Sequence, residues 1–190
     1  IPGIDPTPPK TVKEHSSPMD IEGLIASLPL EKGITQNALN VVHSIFMAES
    51  RVHGVDLMDI HQSRLGTMDA VIDVVGVCML IDELEPEFII ASPVHVGQGQ
   101  IVCRGGVLPV PTPATEHLLQ GIPYCSGDVD GELCTPTGAA LLKHFVNVFE
   151  KISSAGYHSM GCGIGTKDFG WPGGLKAYLI DSADTKHLTA

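Results

Sequence analysis

Two aspartates, Asp69 and Asp73, stand four residues apart among side chains that are otherwise apolar: Met68, Ala70, Val71, Ile72, Val74 and Val75. That spacing is close to one helical turn, so both carboxylates leave the same face of a helix. A carboxylate held in aliphatic surroundings without a partner costs several kcal/mol or has its pKa shifted strongly. A metal, a basic side chain or backbone N–H groups must therefore answer them. His53 and His61 lie just upstream, both near expected helix ends. Imidazole and carboxylate converging on one face suit a first-row divalent metal. The plainer alternative is that Asp69 caps its own helix and Asp73 pairs with an arginine. Spacing alone leaves both open.

A second pattern is a pair of threonine-rich helix starts. Pro111-Thr112-Pro113-Ala114-Thr115 leads into one helix, and Thr135-Pro136-Thr137-Gly138 into another. Hydroxyl then proline is an ordinary capping arrangement. Helix N-termini also attract anions, so two of them could grip a phosphate or carboxylates. Two glycine runs, Gly97-Gln98-Gly99 and Gly161-Cys162-Gly163-Ile164-Gly165, are expected as turns or bulges. Neither opens a helix, which excludes a dinucleotide fingerprint. Lys167 and Asp168, just beyond the second run, could face a ligand or simply solvent. No G-x-S-x-G elbow and no H-E-x-x-H motif occurs. The remaining histidines, His95 among them, are scattered singly and read as surface or structural. His117, beside Glu116, is the one that stands out.

The elements that must position these residues follow from periodicity and punctuation. Residues 1–18 hold five prolines and read as a leader or linker. Met19 to Leu28 is a short amphipathic helix. Thr35 is the expected N-cap of a longer one reaching His53 and closed by Gly54. Thr67 to Leu84 is apolar nearly all round, which predicts a central, buried helix. After Pro86 short β-rich pieces appear at 88–91, 94–96 and 101–103. A helix from Ala114 to Gln120, another from Pro136 to about Ile152, and strands at 157–161 and 175–180 complete the chain. Helices first and strands later give an α+β fold: N-terminal helices, then a mixed sheet with two further helices. The expected organisation is one such domain over 19–181 with a tail at 182–190.

Composition restricts the partners. Eleven Lys and Arg face 22 Asp and Glu, a net charge of −11. A nucleic-acid partner needs a basic surface, so that class is excluded. Hydrophobic content of 43% suits a packed globule. No uncharged apolar run of membrane-spanning length occurs. The first residues show neither the basic nor the apolar region of a signal peptide. Five cysteines, odd in number and without C-x-x-C spacing, exclude a zinc ribbon or finger. They read as buried thiols of a reducing compartment, the cytoplasm.

Taken together, several blocks resemble the LarC-type nickel-insertion family. Glu49-Ser50-Arg51-Val52-His53-Gly54 and Gly66-Thr67-Met68-Asp69-Ala70-Val71-Ile72-Asp73-Val74-Val75-Gly76 resemble two of its blocks. Ala91-Ser92-Pro93-Val94 with Gly97 and Gly99, Leu108 to Thr115, and Leu118 to Pro123 resemble three more. Gly131-Glu132-Leu133-Cys134-Thr135-Pro136-Thr137-Gly138-Ala139-Ala140 and Gly161 to Asp168 complete the series, in order over residues 35–180.

The resemblance implies nickel insertion into a pyridinium-bisthiocarboxylate mononucleotide, a metallochelatase (lyase) reaction. It places Asp69 and Asp73 at the reacting centre and, with His53 and His61, at the metal. It assigns Thr112, Thr115, Glu132, Thr135, Thr137, Lys167 and Asp168 to the mononucleotide. Ni2+ is the metal, and CTP with Mn2+ or Mg2+ is expected only of full-length members. A homo-oligomer, or a separate subunit carrying the C-terminal domain, is the implied partner.

There are departures. His61-Gln62-Ser63-Arg64 stands where the family typically has H-x-H-E, and Gly105-Gly106 where it has His-Gly. Losing soft and anionic ligands while gaining a cation weakens a nickel site. The chain is thus expected as a partial or accessory unit. The alternative is a non-catalytic mononucleotide- or metal-binding assembly module. An unrelated metal-dependent hydrolase built on Asp69, Asp73 and His61 is a third reading.

Overall fold

A computed structural model describes residues 17–57, 68–103, 106–151, 156–170 and 173–181. The chain divides into two compact units, Ile1–Glu85 with Pro136–His144, and Pro86–Thr135 with Phe145–Ala190. The first is helical and the second carries the strands, so the α+β class holds.

In the first unit, α1 (Pro18–Ser27) starts at a capping box. Asp20 N–H donates to Ser17 Oγ at 3.3 Å, while Asp20 Oδ2 accepts from Ser17 N–H at 3.0 Å. Each satisfies a backbone donor that the first helical turn would leave orphaned. α2 (Lys32–His53) begins earlier than Thr35, with Glu31 at the N-cap position. Thr35 lies inside the first turn, and its hydroxyl donates back to the Glu31 carbonyl at 3.2 Å. Gly54, at φ 64°, ends the helix as expected, because only a residue tolerant of the left-handed region fits there.

α2 buries Ala38, Val41, Val42, Ile45 and Phe46 and packs on both α1 and α3 (Met68–Leu84). The expectation of a fully buried α3 is overturned. Val71, Val74, Val75 and Cys78 face the core, whereas Ile72 (60% exposed) and Leu80 (64%) face away with Met79 and Leu84. A helix lying against the outside of its neighbours buries one stripe whatever its other faces carry. The sequence supplied more apolar surface than the unit covers.

α5 (Pro136–Phe145) contributes Ala139 and Ala140 to buried positions and ends well before Ile152. His144 Nε2 lies 3.0 Å from Asn37 Oδ1 of α2, a hydrogen bond in the tautomer that carries the proton on Nε2. Burial lowers the His144 pKa below its ordinary value. The unfolded chain therefore takes up a proton at a higher pH than the folded one does. His144 leaves stability intact above the ordinary imidazole range and subtracts from it as pH falls through that range toward the lowered value. We expect the urea midpoint to drop between pH 7.5 and 5.5, and His144→Gln to flatten that part of the profile.

The second unit is assembled from short pairs. β1 (Ile90–Ala91) runs parallel to β8 (Val148–Phe149), and β2 (Val94–His95) parallel to β6 (Tyr124–Cys125). β3 (Gly97–Gln98) is antiparallel to β7 (Gly131–Glu132). β4 (Gln100–Cys103) and β5 (Gly106–Pro109) form an antiparallel hairpin, as do β9 (Ser159–Gly163) and β10 (Leu175–Leu179). The early end of α5 belongs to this arrangement. Asn147 donates its N–H to the Ile89 carbonyl at 2.9 Å, and its Oδ1 accepts from Ile89 N–H at 2.8 Å. Those bonds draw the chain into β8 where helical periodicity would have continued. α4 (Pro113–Leu118) buries Ala114 and Leu118. Val94, Val96 and Ile101 are also buried in this unit.

Candidate functional site

Asp69 and Asp73 leave α3 on its solvent-facing side, and both are exposed. Neither charge is buried or unanswered, contrary to expectation, since water solvates these oxygens at no structural cost. They remain one turn apart on one face. His53, at the end of α2, is exposed too, and its Nε2 lies 3.4 Å from Glu49 Oε2 one turn back. His61 lies outside the described residues, as does Arg64. Among the described residues no three His, Cys, Asp or Glu side chains gather in a form that could hold a metal ion.

The threonines of the second unit are in a different position. Thr112 stands at the N-cap of α4, but its hydroxyl caps no backbone N–H. Its Oγ1 lies 2.9 Å from Thr115 Oγ1, and both residues are buried, Thr115 completely. The two hydroxyls satisfy one another, which is how polar atoms are kept inside without water. Thr135 precedes α5 and is exposed; Thr137, in its first turn and in the first unit, is half-buried.

The segment after the second glycine run is brought against the backbone of β7, next to Glu132. Glu132 is only 7% exposed, and its Oε1 is closed off from solvent. The preceding residue, Gly131, has φ 126°, and a Cβ there would stand 2.9 Å from Phe169 Cε1. The Phe169 ring thus sits on the β7 backbone and pins the loop that carries its two exposed neighbours, Lys167 and Asp168. Asp168 Oδ1 accepts from Gly170 N–H at 2.8 Å, which tightens the turn. Sequence reasoning missed Phe169 as the anchor. A glycine directly before a buried glutamate was the available signal.

The cysteines divide. Cys78 and Cys134 are buried, Cys103 half-buried, and Cys125 and Cys162 exposed, so the expectation of five buried thiols is corrected. Burial pushes the Cys78 thiol up to about 11. Burial and then the nearby Glu132 carboxylate push Cys134 up to about 12. Both are thiols rather than thiolates at neutral pH, and thiols are poor nucleophiles. Iodoacetamide at pH 8 is expected to label Cys125 and Cys162 and to spare Cys78 and Cys134 until the chain is unfolded. Peptide mass mapping reads this directly.

The model of the family described as "Nickel insertion protein" matches residues 8–190. This chain belongs to that family. A relative from Staphylococcus saprophyticus is 34% identical over 90% of the chain and 44% of its own length. One from Clostridium kluyveri is 39% identical over 84% of the chain and 40% of its own length, and one from Geobacillus kaustophilus 36% identical over 81% and 38%. All three are named pyridinium-3,5-bisthiocarboxylic acid mononucleotide nickel insertion proteins. The chain spans about two fifths of the length of these relatives. No solved structure matches it. Among the described residues no helix is long and apolar enough to cross a membrane.

Proposed function

We propose that this chain acts in nickel insertion into a pyridinium-3,5-bisthiocarboxylic acid mononucleotide, as one part of a metallochelatase. The observation that carries the reading is membership of the nickel insertion family over residues 8–190. Ni2+ is cargo here. Oxygen and nitrogen donors bind it less softly than thiocarboxylate sulfurs do, so transfer from the first set to the second runs with ligand preference.

Asp69 and Asp73, exposed on one turn of α3, are the proposed first holders of the metal, with His61 as the proposed nitrogen donor; His53, which lies against Glu49, does not gather with the two carboxylates and is not assigned to the metal. The exposure of the carboxylates supports this role, because water and then substrate can reach a metal held there. Lys167 is the proposed partner of the mononucleotide phosphate, and Glu132 of the positive pyridinium ring. Asp168 and Thr135 of the same unit complete the proposed contacts. Thr112 and Thr115, buried with their hydroxyls satisfying each other, are proposed to shape α4 rather than to touch the mononucleotide. CTP with Mn2+ or Mg2+ is expected of full-length members, and no residue of this chain is assigned to it. The reaction is placed in the cytoplasm, with a second copy of the chain or a separate C-terminal-domain subunit as partner.

The test is nickel transfer. The purified chain is incubated with Ni2+ and the mononucleotide, with and without CTP, and nickelated product is read by mass spectrometry. Product whose yield falls in Asp69→Ala with Asp73→Ala supports the reading. Mononucleotide binding without transfer under any condition favours the alternative, a non-catalytic assembly module.

A further inference from the structure

The geometry points to a second metal-handling position in this chain: an imidazole–thiolate pair, His95 with Cys125, that takes a borderline-soft divalent cation such as Ni2+. β2 and β6 are parallel, and His95 and Cys125 are register partners across them. Hydrogen bonds fix that register, from Val94 N–H to the Pro123 carbonyl at 2.9 Å and from Val96 N–H to the Cys125 carbonyl at 3.0 Å. Register partners on neighbouring strands project to the same face, about 5 Å apart. That face is the outer one, since Val94 and Val96 are buried on either side of an exposed His95, and Cys125 is exposed with it.

The imidazole lies on the Cys125 side of its strand. An ideal Cβ built on Gly127 would stand 3.4 Å from His95 Nδ1, so the ring leans over the turn that follows Cys125. Gly127 has φ 71°, and any side chain there would crowd that ring nitrogen.

Imidazole and thiolate are both good donors for late first-row divalent metals. No third His, Cys, Asp or Glu among the described residues converges on the pair to close a cage. Two protein ligands leave the remaining coordination positions to water or to an incoming ligand, unlike the closed four-ligand shell of a structural site. As the Ni–S bond forms, the Cys125 thiol releases its proton to solvent, one proton for each metal bound. The donor set stands on its own geometry. Its use in handing Ni2+ to thiocarboxylate sulfurs rests on the function proposed above.

The experiment is an anaerobic Ni2+ titration of the full chain, followed by near-ultraviolet thiolate-to-nickel charge-transfer absorbance and by protection of thiols from iodoacetamide. One thiolate-bound metal per chain is expected, with Cys125 protected. The band is expected to vanish in Cys125→Ser and to survive in Cys162→Ser. In His95→Ala binding is expected to weaken at least about tenfold, the loss that even an outer partner of a metal ligand brings. Both positions are exposed, so urea midpoints are expected to stay level, which separates lost ligation from lost fold. A band that persists in Cys125→Ser, or that disappears in Cys162→Ser, overturns the pair. So does the absence of any band or protection in the unaltered chain. Nickel transfer unaffected in the His95→Ala, Cys125→Ser double variant would leave the proposed function standing without this site's part in it. A thiolate–nickel band without transfer would leave the site and remove the function.

Discussion

Gly97→Ala is expected to destabilise the strand-bearing unit by about 3–5 kcal/mol, while Gly99→Ala, two residues on, costs about 1–2 kcal/mol. The two glycines share φ 84°, so the penalty for placing an L side chain in the left-handed region is common to both. What differs is the surroundings. A methyl at Gly99 meets only Asp130 Oδ1, at an ordinary 3.6 Å. A methyl at Gly97 would be driven into the carbonyl oxygen of Gly131 on β7. That oxygen belongs to backbone held in register by Gln98 N–H to the Val129 carbonyl and Leu133 N–H to the Val96 carbonyl, each at 3.0 Å. No side chain is available to swing aside. Relief requires parting β3 from β7, and β7 carries Glu132 and the seat of Phe169. Urea unfolding of the two variants beside the unaltered chain measures the difference. Equal losses would show that the close approach carries no energy. Gly97 is the register partner of Glu132, so under the function proposed above the same variant is expected to weaken mononucleotide binding as well.

Phe46→Ala is expected to cost about 3–5 kcal/mol in the helical unit, and Phe46→Leu no more than about 1.5 kcal/mol. Phe46 is 1% exposed and is the largest fully buried side chain among the described residues. Ile45, Val42 and Val41 of the same helix are also closed to solvent, as are Ile21 and Ile25 on α1 and Val74 and Cys78 on α3. Truncation removes a ring's worth of transfer energy and leaves a void that these residues fill only partly. Ile72→Ser on α3 makes the informative contrast. Its side chain is 60% exposed, so a change within about 0.5 kcal/mol is expected. Were α3 buried all round, that substitution would rank with Phe46→Ala. Circular-dichroism-monitored denaturation of the three variants decides the ranking.

The comparison of α2 with α3 shows where sequence reasoning holds. In α2 the apolar residues fall at helical spacing on one stripe with polar residues elsewhere, and the buried set is the stripe that the spacing predicts. The ends were less legible. Thr35 carries the chemistry of a cap, yet Glu31 occupies that position because the backbone turns earlier. In α3 every face offers apolar side chains. Periodicity then says nothing about which face the neighbours cover, and Asp69 and Asp73 could be read as buried when they are solvated. Asn147 is a comparable case. Its local sequence extends a helix, while its hydrogen bonds to Ile89, 58 residues away, place it at the head of a strand.

Motif blocks, composition and spacing determined the family, the α+β class, the stop at Gly54 and the pairing of the two carboxylates on one helical turn. Those are local properties, set by residue type and by separations of a few residues. Tertiary structure alone decided that the carboxylates face water and that Thr112 and Thr115 satisfy each other. It also decided that Phe169 pins the Lys167 loop to Gly131 and that His95 stands beside Cys125. Each of these depends on which distant segments pack together, and packing is chosen by the free energy of the whole chain rather than by any window of it.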